Sequence, residues 1–212
     1  TFSSMAIVGR GLFGATGKNI VAIDMQNGEV TTSVEAHDSP IKHMVTGTRK
    51  VISATEREIK IWEFKNSFEL KKVFGAVGTT ARHSGDITDM DIHGDTLVTV
   101  SRDKKIKIWY TGTEPRLLGT YSLDFNNIYH GYPTSVAIYG DRAYFGTSSG
   151  YIGDINLTTG DKIDPIAMPL EDPYSMSITD IVIKDGVIAY CCSEAVGLMK
   201  LNYETIRLHS YD

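Results

Sequence analysis

The chain has 212 residues, of which 42% are hydrophobic and 22% are charged, and its formal net charge is −5 at pH 7. This length and composition are ordinary for a globular chain with a sizeable core, and the negative charge argues against nucleic acid or an anionic membrane surface as the main partner. No apolar run approaches the ~18 residues that a membrane span requires, so we expect neither a nucleic-acid partner nor a membrane span.

The first predicted elements are short strands separated by turn residues. Phe2, Met5 and Ile7 give the first strand an apolar face, and Gln26-Asn27-Gly28 is a strong turn signal before the fourth strand. The predicted strands of the first repeat are residues 2–7, 12–17, 19–25 and 29–34, and those of the second are 41–45, 50–54, 58–64 and 68–74.

The third repeat carries the clearest pattern. Ile87, Met90 and Ile92 predict the buried face of its first strand, at the spacing seen in the first repeat. The next two strands are rich in β-branched residues, and the turns between strands contain Gly or Asp. The predicted strands are residues 87–92, 96–101, 106–109 and 116–123, and the two remaining repeats follow at 135–157 and 178–211.

A regular period links these repeats. Trp109 marks the last inward position of a third strand, and its equivalents are Ile23, Trp62, Ile155 and Leu201. Successive equivalents are 39, 47, 46 and 46 residues apart, close to the ~40–45 residues of a four-stranded propeller blade.

The sequence therefore predicts an all-β fold, a β-propeller of about five four-stranded blades in a single domain, 1–212. Two arrangements stay open at this point. The five blades close on themselves, with residues 205–211 as the last outer strand, or they belong to a larger, seven-bladed propeller. The predicted repeat units are residues 1–36, 37–82, 83–129, 130–175 and 176–212.

The third repeat resembles a WD repeat. That family links a His before the first strand, a Ser or Thr in the second, an Asp in the next turn and a Trp in the third, and this sequence has His83, Ser101, Asp103 and Trp109 at those places. The resemblance implies a buried hydrogen-bonded tetrad. The other repeats match less well: the second has His37 and Trp62, with Ala54 and Glu56 at the Ser and Asp positions, and the fourth keeps only His130.

The first and fourth repeats also resemble quinoprotein-type propeller repeats, through the segments 12–29 and 144–161. Enzyme signatures are otherwise poor. Gly9-Arg-Gly-Leu-Phe-Gly14 matches G-x-G-x-x-G but lies between short strands, without the helix that a dinucleotide phosphate needs. The six His residues lack metal-ligand spacing. We expect no catalytic residues, no cofactor and no metal.

The two cysteines, Cys191 and Cys192, are adjacent in a predicted strand and point to opposite faces, so a disulfide between them would strain the backbone. This low cysteine count fits a reducing compartment, and the start Thr1-Phe2-Ser3 shows no secretory signal. We therefore expect an intracellular protein, in the cytoplasm or the nucleus.

The WD resemblance implies a non-catalytic scaffold that binds protein or peptide partners through its loops, as part of a multi-subunit complex or as a peptide-recognition module. Arg and Tyr are common interface anchors, and the basic residues fit an acidic or phosphorylated peptide. Two alternatives stay open: a quinoprotein-like or glycosidase-like enzyme, and an incomplete propeller that a partner chain completes. The residues implied for the partner-binding face are Lys42, Asp86, Thr88, Arg102, Tyr132, Thr134, Ser177, Thr179 and Glu194.

Overall fold

The computed structural model describes residues 2–8, 11–64, 68–74, 81–123, 131–167, 177–193, 195–201 and 205–210. Within these residues the chain forms twenty β-strands. They make five antiparallel sheets, each built from four consecutive strands in chain order. No helix in the described part of the chain has the length and apolarity to cross a lipid bilayer.

Each predicted repeat contains one of these sheets. Sheet 1 consists of β1 (Ser4–Val8), β2 (Gly11–Thr16), β3 (Asn19–Ile23) and β4 (Val30–Glu35); sheet 2 of β5 (His43–Gly47), β6 (Lys50–Ala54), β7 (Ile59–Phe64) and β8 (Phe68–Phe74). Sheet 3 consists of β9 (Ile87–His93), β10 (Thr96–Ser101), β11 (Lys105–Tyr110) and β12 (Arg116–Ser122). Sheet 4 consists of β13 (Pro133–Tyr139), β14 (Arg142–Thr147), β15 (Tyr151–Asn156) and β16 (Lys162–Ala167); sheet 5 of β17 (Ile178–Lys184), β18 (Val187–Cys192), β19 (Ala195–Lys200) and β20 (Thr205–Ser210).

Backbone contacts divide the chain into two compact units. Unit 1 comprises Thr1–Ile87, Ile92–Leu97 and Tyr110–Arg116, and unit 2 comprises Thr88–Asp91, Val98–Trp109 and Leu117–Asp212. Sheets 1 and 2 therefore belong to unit 1, sheets 4 and 5 belong to unit 2, and sheet 3 contributes residues to both. The all-β prediction is confirmed, whereas the single domain stays a prediction.

The core of unit 1 forms where one face of sheet 1 packs on sheet 2. Phe13 and Ile20 of sheet 1 are 1% and 0% exposed, and they lie in one apolar cluster with Met44, Val51 and Trp62 of sheet 2. Burying side chains of this size is the main favourable contribution to folding, at about 1.5–3 kcal/mol each. The face-to-face packing of these two sheets therefore holds the unit together.

Unit 2 is built in the same way, from two apolar clusters. Val98 and Ile108 of sheet 3 pack with Phe145 and Ile155 of sheet 4. The opposite face of sheet 4 packs on sheet 5, where Tyr190 is 2% exposed. Sheet 4 is thus covered on both faces, which explains why β14 and β15 are buried along almost their whole length.

The first strand of the chain differs from the prediction. Ile87 and Met90 of β9 are buried as expected, but Phe2, Met5 and Ile7 are 42%, 51% and 58% exposed. The reason is that sheet 1 packs on sheet 2 through its other face. Side chains of β1 do alternate between two faces as predicted, but Met5 and Ile7 lie on the exposed face and not on the buried one.

The G-x-G-x-x-G segment has no phosphate-binding geometry in its described part. Gly9 and Arg10 lie outside the described residues, and Gly14 is a strand residue of β2, which ends in a tight turn at Gly17. A Cβ at Gly14 would come within 2.6 Å of the Phe2 ring. This glycine therefore makes room for an aromatic side chain.

Sheet 2 contains a continuous chain of hydrogen bonds, buried from Trp62 to His37 and partly exposed at Glu58. Trp62 Nε1 donates to Ser53 Oγ at 2.9 Å, Ser53 Oγ lies 2.7 Å from His37 Nε2, and His37 Nδ1 lies 2.9 Å from Glu58 Oε1. Burial lowers the pKa of His37, although its hydrogen bond to Glu58 opposes that shift. The imidazole is therefore neutral, donates to Glu58 and accepts the Ser53 hydroxyl proton. These partners differ from Ala54 and Glu56, the positions that the sequence pattern indicated.

Sheet 3 corrects the predicted tetrad in a similar way. Trp109 Nε1 donates to Thr99 Oγ1 at 3.0 Å rather than to Ser101. Ser101 lies at the end of β10, where its Oγ accepts the backbone N–H of Asp103, and Asp103 Oδ1 in turn accepts the N–H of Lys105. Ser101 and Asp103 therefore stabilise the turn. His83 is buried, at 1% exposure, whereas the predicted His130 lies outside the described residues.

The likeness between the first and fourth repeats is explained by one shared turn. Asp24 Oδ1 accepts the N–H of Gln26, and Asn156 Oδ1 accepts the N–H of Thr158. The glycine that ends each turn, Gly28 or Gly160, has φ near +75° and donates its N–H to the backbone of the same Asp or Asn. This is general turn chemistry, which many folds share.

Replacing the hydroxyl at the centre of the sheet 2 chain tests its contribution to stability. We expect Ser53→Ala to lower the free energy of unfolding by about 1–3 kcal/mol for each buried group left unpaired, here the Trp62 indole and the His37 ring. Urea unfolding followed by tryptophan fluorescence measures the loss. Ser33→Ala, at an exposed position of β4, is the control and should stay within about 0.5 kcal/mol. Equal stability of the two variants would contradict the assignment.

Candidate functional site

Polar side chains on the first strands join neighbouring sheets within unit 1. Ser3 Oγ donates to the carbonyl of Ile41 at 2.8 Å, and the N–H of Met44 donates to Ser4 Oγ at 3.1 Å. Thr46 Oγ1 donates in the other direction, to the carbonyl of Ile7 at 2.8 Å. The first strand of one sheet therefore binds the backbone of the next through its side chains.

Hydrogen bonds of the same kind, from side chains of one sheet to the backbone of the next, occur in unit 2, where carboxylates take part as well as a hydroxyl. Thr88 Oγ1 donates to the carbonyl of Pro133 at 2.6 Å, and the N–H of Val136 donates to Asp89 Oδ2 at 2.8 Å. Asp91 Oδ2 accepts the N–H of Ile138 at 2.7 Å. Two positions placed on the partner-binding face, Thr88 and Thr134, are thus used in sheet packing, since Thr134 Oγ1 donates to the carbonyl of Ile178 at 2.5 Å.

Asp89 is a strongly perturbed carboxyl group of this arrangement. Burial, the largest cause, and the nearby carboxylates of Asp180 and Asp91 raise the pKa of Asp89 to about 7, while the N–H groups of Val136 and Met90 oppose the shift. The side chain therefore exchanges a proton near neutral pH. Perturbed carboxyl groups occur in active sites and also in structural networks, and the bond from Val136 gives Asp89 a structural role.

Arg102 and Tyr132 form the most distinctive feature of the predicted face. Arg102 is exposed in the turn between β10 and β11, and its guanidinium carbon lies 4.7 Å from the centre of the Tyr132 ring. Tyr132 is fixed by Ser148, whose Oγ accepts its N–H and whose own N–H donates to its carbonyl. A guanidinium stacked through its face keeps its N–H groups in the plane, where they can bind a carboxylate or phosphate.

The predicted residues in unit 1 form a weaker arrangement. Lys42 is exposed just before β5, and Asp86 Oδ1 lies 3.5 Å from Arg57 Nε. Both side chains of that ion pair are more than 40% exposed, and such pairs contribute only about 0–1 kcal/mol.

The remaining predicted positions lie at the start of sheet 5. Ser177 Oγ donates weakly to the carbonyl of Ile178 at 3.4 Å, and the exposed Thr179 donates to the carbonyl of Cys191 at 3.1 Å. Cys191 and Cys192 are both free thiols. Glu194 lies outside the described residues.

Unit 1 also contains a cleft of about 430 Å³ that the sequence pattern did not reveal. Lys50 crosses it: its Nζ bonds the carboxylate of Asp95 and, at 2.7 Å, the carbonyl of Thr111. Thr111 returns both its N–H and its hydroxyl to the Asp95 carbonyl. The only available signal was an opposite charge pair, Lys50 and Asp95, in adjacent repeats. Among the described residues, no group of three His, Cys, Asp or Glu side chains is placed to hold a metal ion.

Comparison with known proteins identifies the class of fold. No family model and no curated protein matches the sequence, but 1471 chains of solved structures match the fold. One is the crystal structure of the WD40 β-propeller domain of Doa1, with a TM-score of 0.76 and 16% sequence identity over 98% of this chain and 68% of that chain. The chain therefore has the WD40 β-propeller fold, and its five four-stranded blades are consistent with part of a larger propeller.

The pKa of Asp89 predicts a specific pH dependence of stability. Because the folded-state pKa is raised above the unfolded value, Asp89 favours folding at low pH and loses that contribution as pH rises through about 7. Asp89→Asn keeps an acceptor for Val136 but cannot ionise, so its stability relative to wild type should increase from pH 5 to pH 8. Urea unfolding across this range measures the change. Asp38→Asn, in an exposed loop, is the control, and the same pH profile in both variants would contradict the prediction.

Proposed function

We propose that the chain is a non-catalytic protein-interaction module that binds an acidic or phosphorylated peptide at the Arg102–Tyr132 pair. The observation that carries the proposal is the exposed guanidinium stacked 4.7 Å from a backbone-anchored tyrosine. Arg and Tyr are enriched among the residues that contribute most to binding at interfaces. Contact with the Tyr132 ring restricts the Arg102 side chain, so binding costs less conformational entropy.

The position of the pair supports the same interpretation. Arg102 lies in a turn and Tyr132 in the segment before β13, and loops on a rigid sheet scaffold are where binding residues commonly occur. Arg102 is exposed, so an incoming peptide has access to it. The fold supports an interaction scaffold in general terms, whereas the identity of the partner and its complex rests on the proposal alone.

The enzyme alternatives receive less support. Both tryptophans are buried, Trp62 at 5% and Trp109 at 0% exposure, so neither indole ring presents a face on which a quinone cofactor could stack. The nearly buried Asp154 forms an ion pair with Arg142. Asp89 has the raised pKa that a general acid needs, but its Oδ2 already binds the next sheet. An intracellular location, in the cytoplasm or the nucleus, stays a prediction.

Removing the guanidinium tests the proposed site. We expect Arg102→Ala to weaken binding about tenfold or more, because a charge-assisted hydrogen bond contributes about 1.5–3 kcal/mol. The probe is an array of peptides of identical sequence, phosphorylated and unphosphorylated, followed by fluorescence anisotropy on the best binder. The melting temperature should stay unchanged, since Arg102 is exposed. Arg102→Lys should lose part of the affinity, because lysine cannot bind a phosphate in bidentate fashion.

A matched control is available in unit 1. Arg116 stacks on Tyr110 at 4.9 Å and is also exposed, so Arg116→Ala removes the same chemistry from another place. Binding should survive this change. An array without any peptide that depends on Arg102, or an equal loss of affinity in both alanine variants, would refute the proposed site.

A further inference from the structure

Sheet 1 has one broad apolar face that none of the described residues of its unit covers. Ile7, Leu12, Ile23 and Val30 are register partners across its four strands. Ile7 and Val30 are 58% and 54% exposed, and Met5 beside them is 51% exposed. A contiguous apolar face of this kind marks an interaction surface.

Sheet 5 has a smaller apolar face on the side that does not pack on sheet 4. Val182, Ala189 and Leu198 are register partners across β17, β18 and β19, with Cys191 and Val196 in the adjoining row. Val182 is 58% exposed. A shallow cavity of about 130 Å³ lies in this face, against Val182 and Cys191.

These two faces are the two halves of one repeated interface. The uncovered face of sheet 1 corresponds to two faces that are covered by the preceding sheet. In sheet 2 this face carries Met44 and Trp62 and packs on sheet 1; in sheet 5 it carries Ile181 and Met199 and packs on sheet 4. The uncovered face of sheet 5 corresponds to two faces that are covered by the next sheet along the chain. In sheet 4 this face carries Ala137 and Tyr144 and packs on sheet 5; in sheet 1 it carries Ala6 and Phe13 and packs on sheet 2. One chain therefore carries both complementary halves.

A hydrogen-bonding pattern supports this correspondence. The triplet Ile87-Thr88-Asp89 is repeated as Ile178-Thr179-Asp180 at the same place in β17. In sheet 3, Thr88 binds the backbone carbonyl of Pro133 in the following sheet. Asp89 binds the N–H of Val136, three residues after Pro133. Thr179 and Asp180 are both exposed.

The receiving positions lie on β1 and just before it. Ile41, just before β5, and Met44 of β5 bind the side chains of Ser3 and Ser4, as Pro133 and Val136 of β13 bind those of Thr88 and Asp89. Phe2 and Met5 occupy the same places in sheet 1 and have the same spacing. The carbonyl of Phe2 and the N–H of Met5 are therefore the groups that Thr179 and Asp180 would bind.

We propose that sheet 5 of one molecule docks onto sheet 1 of a second copy of the chain. The interface is heterologous, since a different surface is used on each copy. It buries Val182 and the row of Ile7. Asp180 accepts the N–H of Met5, and the Thr179 hydroxyl exchanges its hydrogen bond to the Cys191 carbonyl for one to the carbonyl of Phe2. It is separate from the peptide site at Arg102, so either proposal can fail without the other.

Sedimentation equilibrium of the 212-residue chain tests this docking. The average mass should rise above the 23.4 kDa monomer as concentration increases, because a two-ended interface adds copies at both ends. Ile7→Asp blocks the sheet 1 half and Val182→Asp blocks the sheet 5 half. Each variant alone should be monomeric, since a carboxylate in the apolar contact is not tolerated. Both positions are exposed in the monomer, so neither change should disturb folding, as circular dichroism checks.

Mixing the two blocked variants distinguishes specific docking from nonspecific association through exposed apolar surface. Each variant keeps the half that the other lacks, so an equimolar mixture should form a dimer of twice the monomer mass and grow no further. Thr179→Val combined with Asp180→Ala in the Ile7→Asp background should weaken that dimer. Leu118→Asp, at a 50% exposed position of β12, is the control and should self-associate as the wild type does. A monomeric wild type, or a mixture without the dimer, would overturn the proposal.

Discussion

A β-sheet with two apolar faces gains stability in water as other sheets cover those faces, and the packing within each unit depends on this gain. Each sheet buries aromatic and branched side chains against its neighbour within a unit, as Phe13 does against Trp62 and Val98 against Phe145. Apolar packing is non-directional and does not fix how two sheets align. The hydroxyl and carboxylate side chains of the first strands supply that alignment, because each bonds a defined backbone group of the next sheet.

The strand pattern of the sequence was sufficient to predict the fold. Turn residues such as Gly94 and the period between Trp62 and Trp109 locate five four-stranded sheets with strand ends close to those observed. Which face of a strand is covered could not be read in the same way. Alternation identifies the two faces of β1, but only the arrangement of neighbouring sheets decides that Ala6 faces the core and Met5 faces solvent.

Hydrogen-bond partners were harder to predict than strands, for a related reason. The hydroxyl that binds each indole lies inside the second strand, at Ser53 and Thr99, whereas the sequence pattern pointed to Ser101 at the end of its strand. A shift of two residues keeps a side chain on the same face of a strand, so spacing alone could not separate the two positions. The Arg102–Tyr132 contact joins segments thirty residues apart and has no local signature, although both residues were expected at a binding face.

The uneven covering of the sheets also has a consequence for motion. A sheet packed on both faces, such as sheet 4, opens only when two apolar contacts separate together, whereas sheets 1 and 5 each have one face without such a contact among the described residues. Free energies of local opening follow the density of buried contacts. Backbone amides of β3 and β19 should therefore exchange with solvent deuterium faster than those of β14.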